Sequence, residues 1–351
     1  MKSQLICAAL LAASAVADAG VDVVSRPAEP AIYGSHSVML DVARAGNRLV
    51  AVGERGIVLV SDDSGINWKQ SPVPTSVSLV KLAFATSDLG WAVGHFGTVL
   101  HTQDGGKTWE RQLGGVQAAK LALQYFEDLS QKGGGDPQAL AKQVADAKQL
   151  VDDGPDKPFL DVFFDTPQHG FIVGAYNLIF STSDGGKSWV PWQDHVDNPR
   201  GLHLYAIHQI GTDWYIAGEQ GLLLKSVDGG QSFRALKSPY DGSFFGVTPG
   251  SASDVLAFGL RGNVFRSTDN GQTWTPARTT ISPTWNAGSL LNGAVYLGGQ
   301  DGQLDRLGRE GDVDHLVKTA SAAPITGIAA APDGALVLSR MGGMDRIPLN
   351  Q

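Results

Sequence analysis

Cysteine is almost missing: Cys7 is the single one in 351 residues. That excludes a disulfide framework and a cysteine-built zinc site. Long apolar runs are also missing beyond the first residues, where none approaches the roughly 18 needed to span a membrane. Charged residues are only 18 %, and the balance is −8, which argues against a general binder of nucleic acid or anionic lipid. What the chain has instead is glycine, 44 of them, and 42 % hydrophobic residues. This is the composition of one globular domain rich in turns.

The first residues read as a secretory signal. Lys2 supplies charge, Leu5 to Val16 is apolar, and Ala17-Asp18-Ala19 is an A-x-A cleavage site before Gly20. Cys7 lies inside this segment and is not placed for a lipoprotein cut. Residues 1–19 are thus expected to be removed, leaving residues 20–351 as one periplasmic or secreted domain.

The stretch Trp91 to Trp109, WAVGHFGTVLHTQDGGKTW, sets the organisation. Its ending recurs as Ser/Thr-x-Asp-x-Gly-x-x-aromatic. The copies carry Asp63, Gly65 and Trp68; Asp104, Gly106 and Trp109; Asp184, Gly186 and Trp189; Asp228, Gly230 and Phe233; and Asp269, Gly271 and Trp274. A short carboxylate accepts from turn amides, the glycine suits φ above zero, and the aromatic packs beneath the turn. These Asp boxes are read as structural corners.

Upstream of the boxes runs apolar-apolar-Gly-x-x-Gly, with its first glycine at Gly53, Gly94, Gly174, Gly218, Gly259 and Gly299, and Ser339 in a degenerate last copy. The steps are 41, 80, 44, 41, 40 and 40 residues. Only one Asp box falls within the 80, so that step holds an insertion. Seven repeats of this length, four short strands each, predict an all-β seven-bladed propeller. The last repeat has room for three strands only. The segment 20–37, with Val21 to Arg26 as its strand, is expected to supply the fourth and close blade seven. The insertion, residues 114–158 between blades two and three, breaks the β rhythm. Leu121, Tyr125, Phe126 and Leu129 share one helical face; Asp136 caps and Pro137 starts a second helix with Leu140, Val144, Ala147 and Val151 on its stripe. A helical hairpin is predicted.

Propeller geometry places the boxes on one face and the residues between the repeated glycines on the other, with the blade crossovers and the insertion. Arg55, His95, Phe96, Tyr176, Arg261 and Arg340 occupy these turns and are the candidate partner-binding residues, since exposed aromatics and arginines favour interfaces. No metal site is predicted: His203 and His208 are five apart on a strand and point to opposite faces. The glycine-rich DGGK segments precede no helix, against a phosphate loop, and no cofactor is expected.

The AVGxxGxxxxTxDGGxxW arrangement around a seven-bladed ring resembles the photosystem II stability/assembly factor propellers and their relatives in non-photosynthetic bacteria. The resemblance covers roughly Val38 to Pro348. It implies a non-catalytic assembly factor, or chaperone, that holds a membrane-protein subunit through an arginine-rich face, here on the periplasmic side. Only Arg55 and Arg261 match the family's G-x-R-G turn; the other blades carry His95-Phe96, Ala175-Tyr176, Glu219-Gln220 and Gln300-Asp301 there. Two alternatives share the Asp box: a sialidase-like glycoside hydrolase and a secreted carbohydrate-binding propeller. The hydrolase needs an Arg-Ile-Pro element before the first box, whereas Arg346-Ile347-Pro348 follows them all.

Overall fold

A computed structural model describes residues 22–349 apart from 134, 251–253, 280–283, 292, 309–312, 318 and 320. The expected signal, residues 1–19, lies outside the described residues, as does Val21. The described chain forms seven antiparallel sheets, six of four strands and one of three. Their first strands stand side by side around a central channel, and the last of them, Ile325–Ala330, returns to lie beside the first, Met39–Ala45. The seven-bladed propeller is therefore a closed ring.

The repeated glycine has a physical reason that spacing alone does not reveal. In each of the first six blades the first strand bulges by one residue opposite this glycine, as between Met39 and Asp41 opposite Gly53. The bulge aims a carbonyl at the glycine. A Cβ on Gly53 would stand 2.3 Å from the oxygen of Val38, and one on Gly94 would stand 2.2 Å from that of Ser78. At Gly53 and Gly94 a side chain would collide with that carbonyl while the strands keep their register.

Between blades the core is aromatic. Trp91 of blade two stacks on Phe164 of blade three, with centroids 3.4 Å apart and planes 7° apart. Trp91, Trp214 and Trp285 are fully buried. At about 200 Å² of burial and ~25 cal/mol per Å², each contributes on the order of 5 kcal/mol of transfer free energy.

Each Asp box closes as its chemistry demands. Thr102 Oγ1 donates to Asp104 Oδ1 at 2.8 Å and accepts from Gly106 N at 2.9 Å, and Thr108 N donates to Asp104 Oδ1 at 2.9 Å. The sequence pattern omits one member. Thr108 Oγ1 reaches Asp104 Oδ2 at 2.6 Å, as Ser188, Ser232 and Thr273 hydroxyls and the Asn67 amide do in their own boxes. Amide, carboxamide and hydroxyl donors, led by the backbone N–H of Asn67, hold the Asp63 carboxyl down to about 2.

Every box is also bonded from the preceding blade. Arg48 Nη1 donates to the carbonyls of Asp104 and Gly105, Gln112 to Gly185, Trp192 to Gly230 and Lys225 to Asn270. The first box receives Arg346 Nε of blade seven on the Ser64 carbonyl, at 3.0 Å.

That last contact bears on ring closure, where the expected strand clasp fails. Blade seven keeps three strands, and residues 22–37 form none. Instead Val23 O accepts from Ser76 N and Thr75 Oγ1, and Ala28 N donates to Val73 O. The segment is thus held on the crossover between blades one and two. Blade one meets blade seven through side chains, Arg346 on Ser64, Val337 against Gly65, and Thr326 Oγ1 on the carbonyl of Met39 at 2.8 Å, while residues 34–36 lie against the last strand, Gly343–Ile347.

The insertion folds as two helices, α1 (Gly115–Gln131) and α2 (Pro137–Asp153), the second capped by Asp136 Oδ1 on Gln138 N. The face of α1 that packs deepest is Ala118, Ala119, Ala122 and Phe126; Leu121, Tyr125 and Leu129 only flank it. Small side chains let the helix approach blade three closely.

Candidate functional site

The turns between second and third strands carry the displayed residues. In blades one to five the middle residue of the turn is not glycine yet has left-handed backbone: Arg55, Phe96, Tyr176, Gln220 and Arg261, with φ between 49° and 58°. Such positions cost free energy, and they persist where the surroundings impose them. Here the surroundings are a tight turn that a glycine opens and, except after Tyr176, a glycine follows, together with a neighbouring crossover, as when Arg55 N donates to Ser78 Oγ at 3.3 Å. The geometry throws the middle side chain outward. Arg55, His95, Tyr176 and Arg261 are exposed and Phe96 is half-buried.

Arg340 is corrected. Pairing sets it opposite Ile325, in the slot that Gly53 fills opposite Met39, and Ser339 is one place short of it. Blade seven turns through Met341 and Gly342 alone, so Arg340 belongs to the strand. It is 2 % exposed, donates to the carbonyls of Ser321 and Ala323, and lies 2.6 Å from Asp345. It is a core cation and cannot greet a partner; Met341 shows itself there, 53 % exposed. Arg346, from the Arg-Ile-Pro element, is held by Ser64 and Asp333.

Tyr176, 62 % exposed, heads a run of rings toward the channel. It meets His203 edge to face at 4.6 Å, His203 meets Tyr205 at 6.0 Å, and Tyr205 meets Phe245 at 5.2 Å. Tyr176 N donates to His203 Nδ1 at 3.0 Å, and Lys157 Nζ stands 5.4 Å from the Tyr176 ring. Tyr205 and Phe245 are the bulge residues of blades four and five. Superposing the repeats at the bulge, where Leu40, Val80, Leu160, Asn286 and Thr326 correspond, would have found them.

The channel wall holds a charged cluster that the sequence reading also missed. Asp41, Lys81 and Asp161 follow the bulges of blades one to three, where the other blades have Ala206, Gly246, Ala287 and Gly327. Lys81 Nζ lies 3.3 Å from Asp41 Oδ1. Each carboxylate also bridges to the next blade, Asp41 accepting from Leu82 N at 3.2 Å and Asp161 from Ile207 N at 2.8 Å. Burial pushes the Asp161 carboxyl up to about 6 despite the Lys81 charge. His208 is elsewhere from His203: its Nδ1 donates to Gln209 O and it packs on Phe163, and burial pushes its imidazole down. Among the described residues no group of three or more His, Cys, Asp and Glu is arranged to hold a metal ion. None of the described helices is long and apolar enough to cross a membrane.

Comparison with known proteins places this geometry. The chain is similar to the photosystem II assembly lipoprotein Ycf48 of Synechococcus sp. (strain CC9902), 36% identical over 33% of this chain and 35% of that one. The match thus spans about a third of that relative's length. Among solved structures, the WD40 β-propeller domain of Doa1 superposes with a TM-score of 0.64 at 10% identity, over 93% of this chain and 97% of that one. YCF48 bound to D1 peptide superposes with a TM-score of 0.61 at 15% identity, over 90% and 95%. At such identities these two speak for the fold. The family described as "Photosynthesis system II assembly factor YCF48" matches residues 60–134 and 141–292, well over half of the sequence, and the chain belongs to that family.

Proposed function

We propose that this protein is a non-catalytic assembly factor that holds a polypeptide of a membrane-protein complex on its turn face. The observation that carries the reading is the ring of outward side chains. Arg55, Phe96, Tyr176 and Arg261 are fixed by left-handed turns on a rigid, closed scaffold. A preformed surface loses little conformational freedom on binding, which favours recognition. Membership of a family named for assembly supports it, as does the related YCF48 captured with a D1 peptide. The signal-like residues 1–19 support action on the periplasmic side.

The test is affinity capture from detergent-solubilised membranes of the source organism, with wild type and Arg55→Glu/Arg261→Glu as baits. Both arginines are exposed, so the double variant should fold normally. It should lose one or more membrane-complex subunits that the wild type retains. Identical partner lists would remove this face from the account.

A further inference from the structure

Beside the turn face lies an open groove of about 790 Å³ between α2 and the crossover from blade three to blade four, residues 193–201. Its floor is apolar: Ala122, Phe126 and Leu178, with Ala147 and Leu150 from α2 and Val196 from the far wall. Phe126 and Ala122 are each 2 % exposed, so this floor is rigid core and not loose surface. The far wall is rigid as well. Asn198 Nδ2 donates to Asn177 Oδ1 and Leu202 O, and Asn198 Oδ1 accepts from Leu202 N.

The rim is acidic on both sides. Five aspartates line the groove (136, 146, 153, 194 and 197) against Lys142, Lys157 and Arg200. The cations are already engaged: Lys142 with Asp146, Lys157 with Asp153 and Asp156, and Arg200 with Gln220. Among the described residues Asp136 and Asp197 have no ionic partner, and Asp194 has only His195 at 3.8 Å and the Tyr125 hydroxyl. Gln193, also lining the groove, keeps its Oε1 buried with no hydrogen-bond partner.

We propose that this groove is a second docking site, and that its occupant is a basic, amphipathic segment of a partner protein. Such a segment lays aliphatic side chains on Leu150 and Val196 and turns Lys or Arg toward Asp136, Asp194 and Asp197. The trough runs along α2, which at ~1.5 Å per residue spans about 25 Å. That length suits seven or eight extended residues at ~3.3 Å each. The inference adds to the assembly reading but does not need the arginine turns, which lie elsewhere on the face.

The test uses fluorescein-labelled octapeptides on the purified protein: alternating Leu-Lys, alternating Leu-Glu and alternating Ser-Lys, read by fluorescence anisotropy. The Leu-Lys peptide should bind at least tenfold more tightly than either other one, and less tightly as salt is raised. Asp194→Lys/Asp197→Lys should weaken it about tenfold, since two attractive charge contacts become repulsive. Ala139→Trp, at an exposed position lining the groove, should abolish binding without lowering the melting temperature. Arg55→Glu/Arg261→Glu should bind the peptide as wild type does, so failure of the arginine face and failure of the groove are told apart. Equal affinity for all three peptides, or no effect of Ala139→Trp and the charge reversal, would overturn the proposal. So would a dimer in solution that Ala139→Trp dissociates, since a second copy would then fill the groove.

Discussion

Replacing Gly65 by alanine tests how the ring is closed. Gly65 has a φ of +83°, and a Cβ there would stand 2.8 Å from Val337 Cγ2 of blade seven and 3.4 Å from Leu49 Cδ1. Left-handed backbone costs a non-glycine residue about 1–2 kcal/mol. Overpacking against Val337 adds about 1–3 kcal/mol. Gly229, at the same kind of corner with a φ of +71°, has nothing within 4 Å of its Cβ. Gly229→Ala therefore carries the backbone cost alone. In a domain of this size 1 kcal/mol moves Tm by about 2 °C, so Gly65→Ala should lower Tm by about 4–10 °C and Gly229→Ala by about 2–4 °C. A double-mutant cycle isolates the seam. In Gly65→Ala/Val337→Ala the new methyl enters the space vacated by the valine, so the pair should cost about 1–3 kcal/mol less than the sum of the singles. Urea unfolding followed by circular dichroism supplies the free energies. Equal drops for the two alanines together with strict additivity would mean that the first Asp box does not rest on blade seven, and the closure described above would be wrong.

Three other outcomes follow from the same geometry. Thr108→Val keeps shape but removes the 2.6 Å hydrogen bond to Asp104; being at the surface, it should cost only about 0.5–1 kcal/mol, or a degree or two of Tm, and an unchanged Tm would show that the extra box member is idle. Phe164→Ala takes away the stacked partner of Trp91 in a buried inter-blade core and should cost about 3–5 kcal/mol in the same unfolding assay; a loss below 1 kcal/mol would contradict that packing. The pH dependence should have two limbs. The Asp161 carboxyl, raised from 3.8 to about 6 by burial, holds its proton more tightly folded than unfolded, so its contribution to stability should grow as pH falls from 7 toward 4, against the opposite contribution of the buried His208 imidazole. The Asp63, Asp228 and Asp269 carboxyls, lowered to about 2 by hydrogen bonds, act oppositely; their contribution is complete above 3.8 and is lost as pH falls toward 2. Asp161→Asn should flatten the first limb and spare the second in calorimetry across pH, and an unaltered slope between pH 7 and 5 would refute the assignment.

The architecture was legible because its signals are local and repeated. Four box residues make a turn with their own atoms, and a glycine marks the bulge in six of the seven blades, so the number and order of blades follow from spacing. Closure was not legible, because it depends on contacts between residues some 280 apart in sequence, Arg346 with Ser64 and Thr326 with Met39. Periodicity ranks which segments form strands, but it cannot say whether a ring is sealed by a strand or by side chains. Arg340 fails for a related reason. A last blade whose turn is one residue shorter shifts the register by one, and in a strand one place turns a surface residue into a core one.

The candidate site was legible only where topology alone decides it. Which residues stand on the turn face is a matter of topology, and the positions of Arg55, Tyr176 and Arg261 follow from it. What makes them a prepared surface is backbone conformation, and no side-chain pattern announces a left-handed arginine or tyrosine. The channel cluster and the groove require still more, the superposition of several blades. Asp41, Lys81 and Asp161 become a group only when three bulges face one channel. Likewise, the acidic rim becomes a groove only when a helix inserted after blade two settles over the crossover that leaves blade three. Charge placed by an insertion, which the ring does not need for its own closure, can change without disturbing the fold. Partner choice within this architecture should therefore lie in α2 and its facing loop, and grafting residues 115–157 together with residues 193–201 onto a seven-bladed relative without them should carry the preference for basic peptides with it. A graft that folds yet treats basic and acidic peptides alike would show that the selectivity resides in the ring.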